Sequence, residues 1–486
     1  MSLVPRIFPY NYPRLAQIEI WSALSKLNES RVIFIEAPTG VGKTVALLSY
    51  LLERYNRILW FCYTHRQQEV VLKEAKRIEE KTGASLSTVL IRGISSLCPI
   101  REVKKSVYPH QACRYYSAVY GCVECPYREQ FLRALSSRLT VATYAYLREP
   151  YFQKIASLID LADVLVFDEA HHLLQPPRVE VPLKWIEEAY REYGCELFKR
   201  MVRREKVVDI DESELLLLSS VGEEILAERG QSYCLEVARV LRGVKRVFYD
   251  KREDKYTGLR RDFHEFLKEF LENKKAIFVS ATLPEQVKLI LSSGEVSRVR
   301  RHEYNFKCLI YSGVKLPKRA WKKFKVLRGI QWVVSVISRF YKRALIVFPS
   351  TELLEMFKER YKLPSNTIPI VAGSREAEGV DVDANACIIL GVPYDRVTRI
   401  TIETVKYFRK YTRKPKTLGY IIPAVIKAVQ AAGRILRKPN RVIVFYDKRW
   451  IKLTKYFPVW LRNSGIKVVS RRSQLYNELV YYSCFS

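Results

Sequence analysis

The sequence predicts an α/β protein built on two parallel-sheet domains, and three observations carry that prediction. Short runs that are apolar throughout alternate with helical patterns, the βαβ rhythm of strands buried on both faces. One run, Val32–Ile35, leads into E-A-P-T-G-V-G-K-T at Glu36–Thr44 and then into Val45, Leu47, Leu48 and Leu51 at helical spacing. The third is length: 486 residues exceed one core, and roughly two to four domains is the natural expectation.

Taken in order, residues 1–30 open with the Pro-broken F-P-Y-N-Y-P-R-L-A-Q ahead of a short helix near 16–27. The first set of strands is Val32–Ile35, Ile58–Tyr63, Thr140–Thr143, Val164–Phe167 and Ala276–Ser280. The second is Ala344–Phe348, Ile368–Val371, Ala386–Leu390 and Val442–Tyr446, with the join expected near 310–325. Two segments interrupt the rhythm. Residues 93–127 are cysteine-rich and lack strand periodicity. Residues 180–272 are charged and read as helical, with Trp185, Ile186, Ala189, Tyr190 and Tyr193 on one face and Leu215–Leu218 further on. Both read as insertions, because the strands of the first domain resume after them. The expected division is 1–92, 128–179 and 273–310 for the first domain, with inserts 93–127 and 180–272, and 311–486 for the second.

Lys and Arg (83) exceed Asp and Glu (51) by 32, spread along the whole chain, which points to a polyanionic partner, nucleic acid before anionic membrane. The start, M-S-L-V-P-R-I-F-P-Y, has no apolar core of a signal peptide, and no apolar run approaches the length of a membrane span. A cytoplasmic protein is expected, so the ten cysteines read as metal ligands or core thiols rather than disulfides.

A strand, a Gly-rich turn and a helix make a phosphate-binding P-loop. Gly40 and Gly42 let the backbone curl, so that the turn Pro38, Thr39, Gly40, Val41 and Gly42 surrounds phosphate oxygens, with N–H groups from Thr39 onward pointing inward. Lys43 reaches the β- and γ-phosphates and the Thr44 hydroxyl holds Mg²⁺. The chain is thus expected to bind a nucleoside triphosphate. After Val164–Phe167 come Asp168, Glu169, Ala170 and His171; Asp168 is positioned for Mg²⁺ and Glu169 to deprotonate the attacking water. D-E-A-H resembles the signature of superfamily 2 helicases, whose other signatures follow in order. These are Ser280-Ala-Thr282, then Glu378-Gly379-Val380-Asp381, with Gly379 and Asp381 counted toward the nucleotide site, and Gln430-Ala-Ala-Gly-Arg-Ile-Leu-Arg437. Arg434 and Arg437, three apart, are expected on one helix face as arginine fingers, with Gln430 beside them.

Six stretches together resemble the XPD/DinG-type iron–sulfur DNA helicases. They are F-P-Y…P-R-x-x-Q at 8–17, C-P-Y at 125–127, T-Y-A-Y-L at 143–147, D-E-A-H-H at 168–172, G-V-P-Y at 391–394 and F-Y-D-K-R at 445–449. The resemblance implies two RecA-like motor domains, with an iron–sulfur domain at 93–127 and a helical arch domain at 180–272 inserted in the first. Cys98, Cys113, Cys122 and Cys125, spaced C-x14-C-x8-C-x2-C, fall where that family holds its cluster. Four thiolates suit zinc as well as [4Fe–4S], and spacing does not separate them; the resemblance, through Pro126-Tyr127, favours iron–sulfur. The other cysteines are expected in cores, and His110 at the surface.

The resemblance further implies ATP and Mg²⁺ as cofactors, single-stranded and forked or tailed duplex DNA as partners, a monomer, and room for repair partner proteins. Thr64, His65, Arg66, Arg92, Thr143, Tyr144 and Tyr394 are the expected nucleic-acid contacts, and Gln17 with Arg14 the expected adenine readers. The implied activity is ATP-driven 5′→3′ DNA unwinding in repair. Two alternatives are a DNA-stimulated ATPase that remodels protein–DNA complexes, and an RNA helicase of the D-E-A-H class, against which the four cysteines argue.

Overall fold

The structure is a computed structural model, and it describes residues 4–122, 124–148, 151–299, 305–374 and 382–484. Among the described residues, eleven strands precede the second domain. They are β1 (Val32–Glu36), β2 (Ile58–Cys62), β3 (Thr88–Leu90), β4 (Leu139–Thr143), β5 (Val164–Asp168), β6 (Arg178–Pro182), β7 (Val207–Asp209), β8 (Val244–Asp250), β9 (Lys255–Arg260), β10 (Ala276–Ser280) and β11 (Glu295–Arg298). The first sheet runs β11-β1-β10-β5-β2-β4-β3, with every pair parallel. Its inner strands are buried at every residue, which is why they read as unbroken apolar runs. On one face Phe34, Phe278, Phe167 and Phe61 stack across four neighbouring strands with ring centroids 4.6–5.2 Å apart.

The second sheet is built from β12 (Phe306–Tyr311), β13 (Ala344–Phe348), β14 (Thr367–Val371), β15 (Ala386–Leu390), β16 (Arg441–Tyr446) and β17 (Lys467–Val469). Its order is β14-β13-β15-β16-β12-β17, again all parallel. The expected join at 310–325 is corrected: β12 pairs with β16 from Phe306 onward, so the chain changes sheets before that residue.

The insert at 180–272 is also not purely helical. Helices Leu183–Glu192, Glu196–Val202, Glu212–Arg229 and Tyr233–Leu241 pack on an antiparallel sheet of order β6-β9-β8-β7. That sheet begins at Arg178, two residues before the expected boundary. Gly222 is required there, because a Cβ would stand 2.6 Å from the backbone nitrogen of Leu235 on the neighbouring helix.

The cysteine-rich segment forms four helices, Ile94–Leu97, Arg101–Lys105, Pro109–Tyr120 and Pro126–Ser136, around a small core of Ile94, Val103, Ala112 and Tyr127. Gln111, fully buried, ties it to the neighbouring insert: its Nε2 donates to the Ser232 carbonyl at 2.9 Å and its Oε1 accepts from the Ser232 N–H at 2.8 Å. The second domain reaches back across the first through residues 399–421. Ile400 packs with Phe248 and Leu259, while Tyr407, Phe408, Leu418 and Ile422 complete a core shared with β5 and β10. A π turn, Thr417–Ile421, joins this excursion to the helix Ile422–Gly433. Among the described residues no helix is long and apolar enough to cross a membrane.

Candidate ATP site and nucleic-acid interface

The strand order creates the site. Because β10 lies between β1 and β5, their C-terminal ends bring the turn Glu36–Thr44, the pair Asp168–Glu169 and the triplet Ser280–Thr282 side by side. The Ala37 N–H donates to the Ser280 carbonyl at 3.0 Å, stitching the first of these to the third. Gly40 and Gly42 both adopt φ +80°, the left-handed backbone the P-loop needs. The helix Lys43–Arg54 starts directly behind them, and the Lys43 ammonium donates to the Pro38 carbonyl at 3.1 Å, inside the loop.

Glu169 also adopts left-handed backbone, φ 53°, and its N–H donates to Asp168 Oδ1 at 2.9 Å. Its Oε2 accepts from the Ser280 hydroxyl at 3.1 Å and lies 3.3 Å from His171 Nδ1. His171 Nδ1 is also 2.7 Å from the Ser280 hydroxyl, and its Nε2 meets Gln430 Nε2 at 2.7 Å, so the second domain touches the D-E-A-H turn directly. Burial, and then the charge of Glu169, push the Asp168 carboxyl up to about 7. Burial acts on Glu169 in the same direction but is outweighed by His171 and Lys43, which hold it well below the usual range. The pair is thus set apart, with Glu169 ionised and Asp168 in need of a cation, which Mg²⁺ between Thr44 and Asp168 would supply.

Arg434 and Arg437 are not on a helix face. The helix ends at Gly433, and the two arginines occupy the turn that follows. That turn nonetheless approaches the P-loop: Thr39 Oγ1 donates to the Gly433 carbonyl at 3.1 Å, and a Cβ on Gly40 would stand 3.3 Å from Arg437 Cγ. Gly379 and Asp381 lie outside the described residues.

Next to the P-loop is a cavity of about 440 Å³ lined by Phe8, Tyr10, Tyr12, Arg14, Gln17 and Val70. Gln17 is only 3% exposed and both ends of its amide hold backbone. Its Oε1 accepts from the Arg14 N–H at 2.9 Å and its Nε2 donates to the Gly42 carbonyl at 3.4 Å. Arg14 in turn donates to the Gly40 carbonyl at 2.5 Å. Both expected adenine readers therefore brace the P-loop backbone.

The expected nucleic-acid contacts divide. Thr64 caps the helix His65–Thr82, and His65 and Arg66 stand exposed on its first turn. Arg92 is half-buried and paired with Glu69. Thr143 and Tyr144 are buried, and Tyr144 donates its hydroxyl to the Asp168 carbonyl at 2.6 Å, so they shape the D-E-A-H turn instead of facing solvent. Tyr394 stacks on Tyr420 at 4.9 Å with the rings within 2° of parallel. Sequence reasoning missed a second cavity, of about 360 Å³, where the two inserts meet the first domain. Arg148, Arg178, Arg239, Arg260, Tyr151 and Trp185 line it. Partial loss of water at this exposed side chain and the neighbouring charge of Arg260 lower the Arg148 pKa, which a polyanion would relieve. These residues come from separate segments, so no linear motif signals them. His110, expected at the surface, lines the same cavity, and burial lowers its pKa to about 4.

Cys98, Cys113 and Cys125 share the small core of the cysteine-rich segment. Burial, then the nearby Cys125, Cys98 and Cys122 thiols, raise the pKa of Cys113. Cys98, Cys122 and Cys125 are therefore all neighbours of Cys113. Among the described residues, no three His, Cys, Asp or Glu side chains stand at metal-binding geometry.

Two parallel sheets, a P-loop, a D-E-A-H turn and a second-domain helix in contact with it resemble the motor of superfamily 2 helicases. The family models for a helicase C-terminal domain and for the res subunit of type III restriction enzymes match residues 338–464 and 11–199. The ATP-dependent DNA helicase XPD of Sulfolobus acidocaldarius is 21% identical over 530 residues, covering 88% of this chain and 94% of that protein. A solved XPD helicase structure superposes with a TM-score of 0.66 at 18% identity, covering 95% of this chain and 100% of the other. The structure of Xpd4 from S. tokodaii gives 0.66 at 18% identity, covering 94% and 100%. Over most of its length the chain is thus similar to XPD-type superfamily 2 helicases.

Proposed function

We propose that the chain is an ATP-dependent DNA helicase that translocates 5′→3′ on single-stranded DNA and opens duplex during repair. The observation that supports this best is the continuous line Glu169–Ser280–His171–Gln430, which links the catalytic carboxylate to the second domain. In this reading Lys43 and the loop N–H groups bind the triphosphate, and Thr44 and Asp168 hold Mg²⁺, which neutralises phosphate charge. Glu169, kept ionised by His171 and Lys43, takes the proton from the attacking water. Ser280 and Gln430 orient the imidazole of His171, so a change at the γ-phosphate alters a contact the second domain makes.

Residues 93–127 serve as an iron–sulfur domain in which Cys98, Cys113, Cys122 and Cys125 hold one cluster. The cluster supplies a crosslink to a segment whose own apolar core is small. Residues 180–272 serve as the arch. The single strand runs past Thr64, His65 and Arg66 into the arginine-lined cavity between the two inserts. The test is unwinding of a 5′-tailed duplex against a 3′-tailed one and an RNA duplex, with anaerobically purified protein. ATP-dependent opening of the 5′-tailed DNA alone is expected. Clearance of a protein roadblock without strand separation would point to the remodelling ATPase instead.

A further inference from the structure

Two hydrogen bonds join the domains through donors that belong to none of the sequence motifs. The Val459 N–H donates to Glu36 Oε1 at 2.8 Å, and the Trp460 indole N–H donates to the Ala281 carbonyl at 2.9 Å. Both donors belong to the second domain, in the segment Pro458–Trp460 that follows Phe457. Both acceptors belong to the first domain and sit where its chemistry is organised. Glu36 ends β1 immediately before the P-loop turn, and Ala281 is the middle of the Ser280–Thr282 triplet. The two acceptor segments are themselves joined by the Ala37 N–H bond to the Ser280 carbonyl.

These contacts are built rather than incidental. Trp460 is 1% exposed and packs in the second-domain core beside Phe306, so its indole direction is fixed from behind. Glu36 is 3% exposed on the wall of an interdomain cavity of about 290 Å³ that Leu283, Ile422 and Phe457 line together with Arg298, Lys414 and Arg462. A buried carboxylate in that setting is costly, and burial pushes its pKa up to about 7, with the Val459 N–H, Arg298 and Arg462 drawing it back. Glu36 is kept as an acceptor for the other domain.

We propose that Trp460 and Glu36 are positioning residues that couple the nucleotide site to the second domain, so that movement of the S-A-T strand end drags the segment Pro458–Trp460. This rests on the helicase reading above. The coupling is separate from the Gln430–His171 contact, which senses the D-E-A-H turn. Trp460→Phe keeps the ring packing and removes the N–H. Glu36→Gln keeps an acceptor for Val459, and Glu36→Met removes it.

The experiment measures base pairs opened per ATP hydrolysed on a 5′-tailed duplex, together with single-stranded-DNA-stimulated kcat and KM for ATP. Trp460→Phe is expected to keep KM and to lower the yield of opened pairs per ATP about fivefold or more, the scale of one lost hydrogen bond. Glu36→Met is expected to lower that yield as well, and Glu36→Gln to restore it. Wild-type yield in both Trp460→Phe and Glu36→Met would overturn the proposal. So would equal failure of Glu36→Gln and Glu36→Met, which would assign the effect to charge or packing. A proportional fall of ATPase and unwinding would also overturn it, by placing the residues in hydrolysis itself. Circular dichroism melting of Trp460→Phe guards against loss of the fold, with Glu36→Met as the independent variant. Wild-type protein that opens no DNA would defeat the helicase reading; wild-type protein that opens DNA alongside unaffected variants defeats only the coupling.

Discussion

Glu169 sits in left-handed backbone, a conformation that costs a non-Gly residue about 1 kcal/mol and is held here because its N–H returns to the Asp168 carboxylate. The twist turns its side chain toward Ser280 and His171 and away from the helix that normal backbone would begin. Glu169→Gln should bind ATP yet hydrolyse it at least about 100-fold more slowly, as loss of a general base does; quenched-flow phosphate release would check it. Lys43→Ala should abolish hydrolysis while single-stranded DNA binding, measured by fluorescence anisotropy, stays near wild type. Gln17 belongs to the same scale. Because its amide spans the Arg14 and Gly42 backbone, Gln17→Ala should raise KM for ATP and GTP by similar factors, not for ATP alone. A loss confined to ATP would restore the base-reading role.

The cysteine-rich segment and the second-domain excursion make the case at the scale of elements. With short helices around a few apolar residues, the cysteine-rich segment has little core of its own, and under the proposed reading a cluster would hold it together. Cys113→Ser should remove visible absorption near 400 nm and iron, melt the segment, and stop unwinding while part of the DNA-stimulated ATPase survives. Wild-type unwinding without iron would show that strand separation does not need the cluster. The excursion is pinned by His264, fully buried, whose Nε2 donates to the Leu173 carbonyl at 2.7 Å while its Nδ1 accepts from the Tyr407 hydroxyl at 2.6 Å. Both ring nitrogens are used by the neutral form, and burial lowers the pKa from 6.5 to about 4. The unfolded chain therefore binds the extra proton between those values, so stability is present above pH 6.5 and is lost as pH falls through 4. The loss amounts to about 3 kcal/mol, and His264→Asn should flatten the denaturation midpoint across that window.

Across the whole molecule, the excess of 32 positive charges surrounds two domains joined by bonds that ATP would rearrange, Thr39 to Gly433 and His171 to Gln430. If about six phosphates of a single strand are neutralised, binding should weaken with salt at a log–log slope of about −4. A slope near zero would show that the charge serves another purpose. Arg148→Ala and Arg260→Ala, in the cavity between the inserts, should each lower the magnitude of that slope by about one, as loss of a phosphate contact does.

The sequence by itself determined the two α/β domains, the interruption at 93–127 and the three chemical turns, because each is a local demand. Buried parallel strands must be continuously apolar, a P-loop must have Gly40 and Gly42 after a strand, and the acidic pair beginning at Asp168 comes at the end of one. Short or half-exposed strands such as Thr88–Leu90, Glu295–Arg298 and Lys467–Val469 carry too little pattern to be seen, and so does the antiparallel sheet hidden in the charged second insert. Only the tertiary structure decided that β10 lies between β1 and β5, which is what lets Ser280 touch Glu169 and His171. It also buried Thr143 and Tyr144, committed Gln17 to the P-loop backbone and drew Arg148, Arg178, Arg239 and Arg260 into one cavity. Strand order and interdomain contact are set by cooperative packing between residues more than a hundred positions apart, and no window of sequence contains both partners.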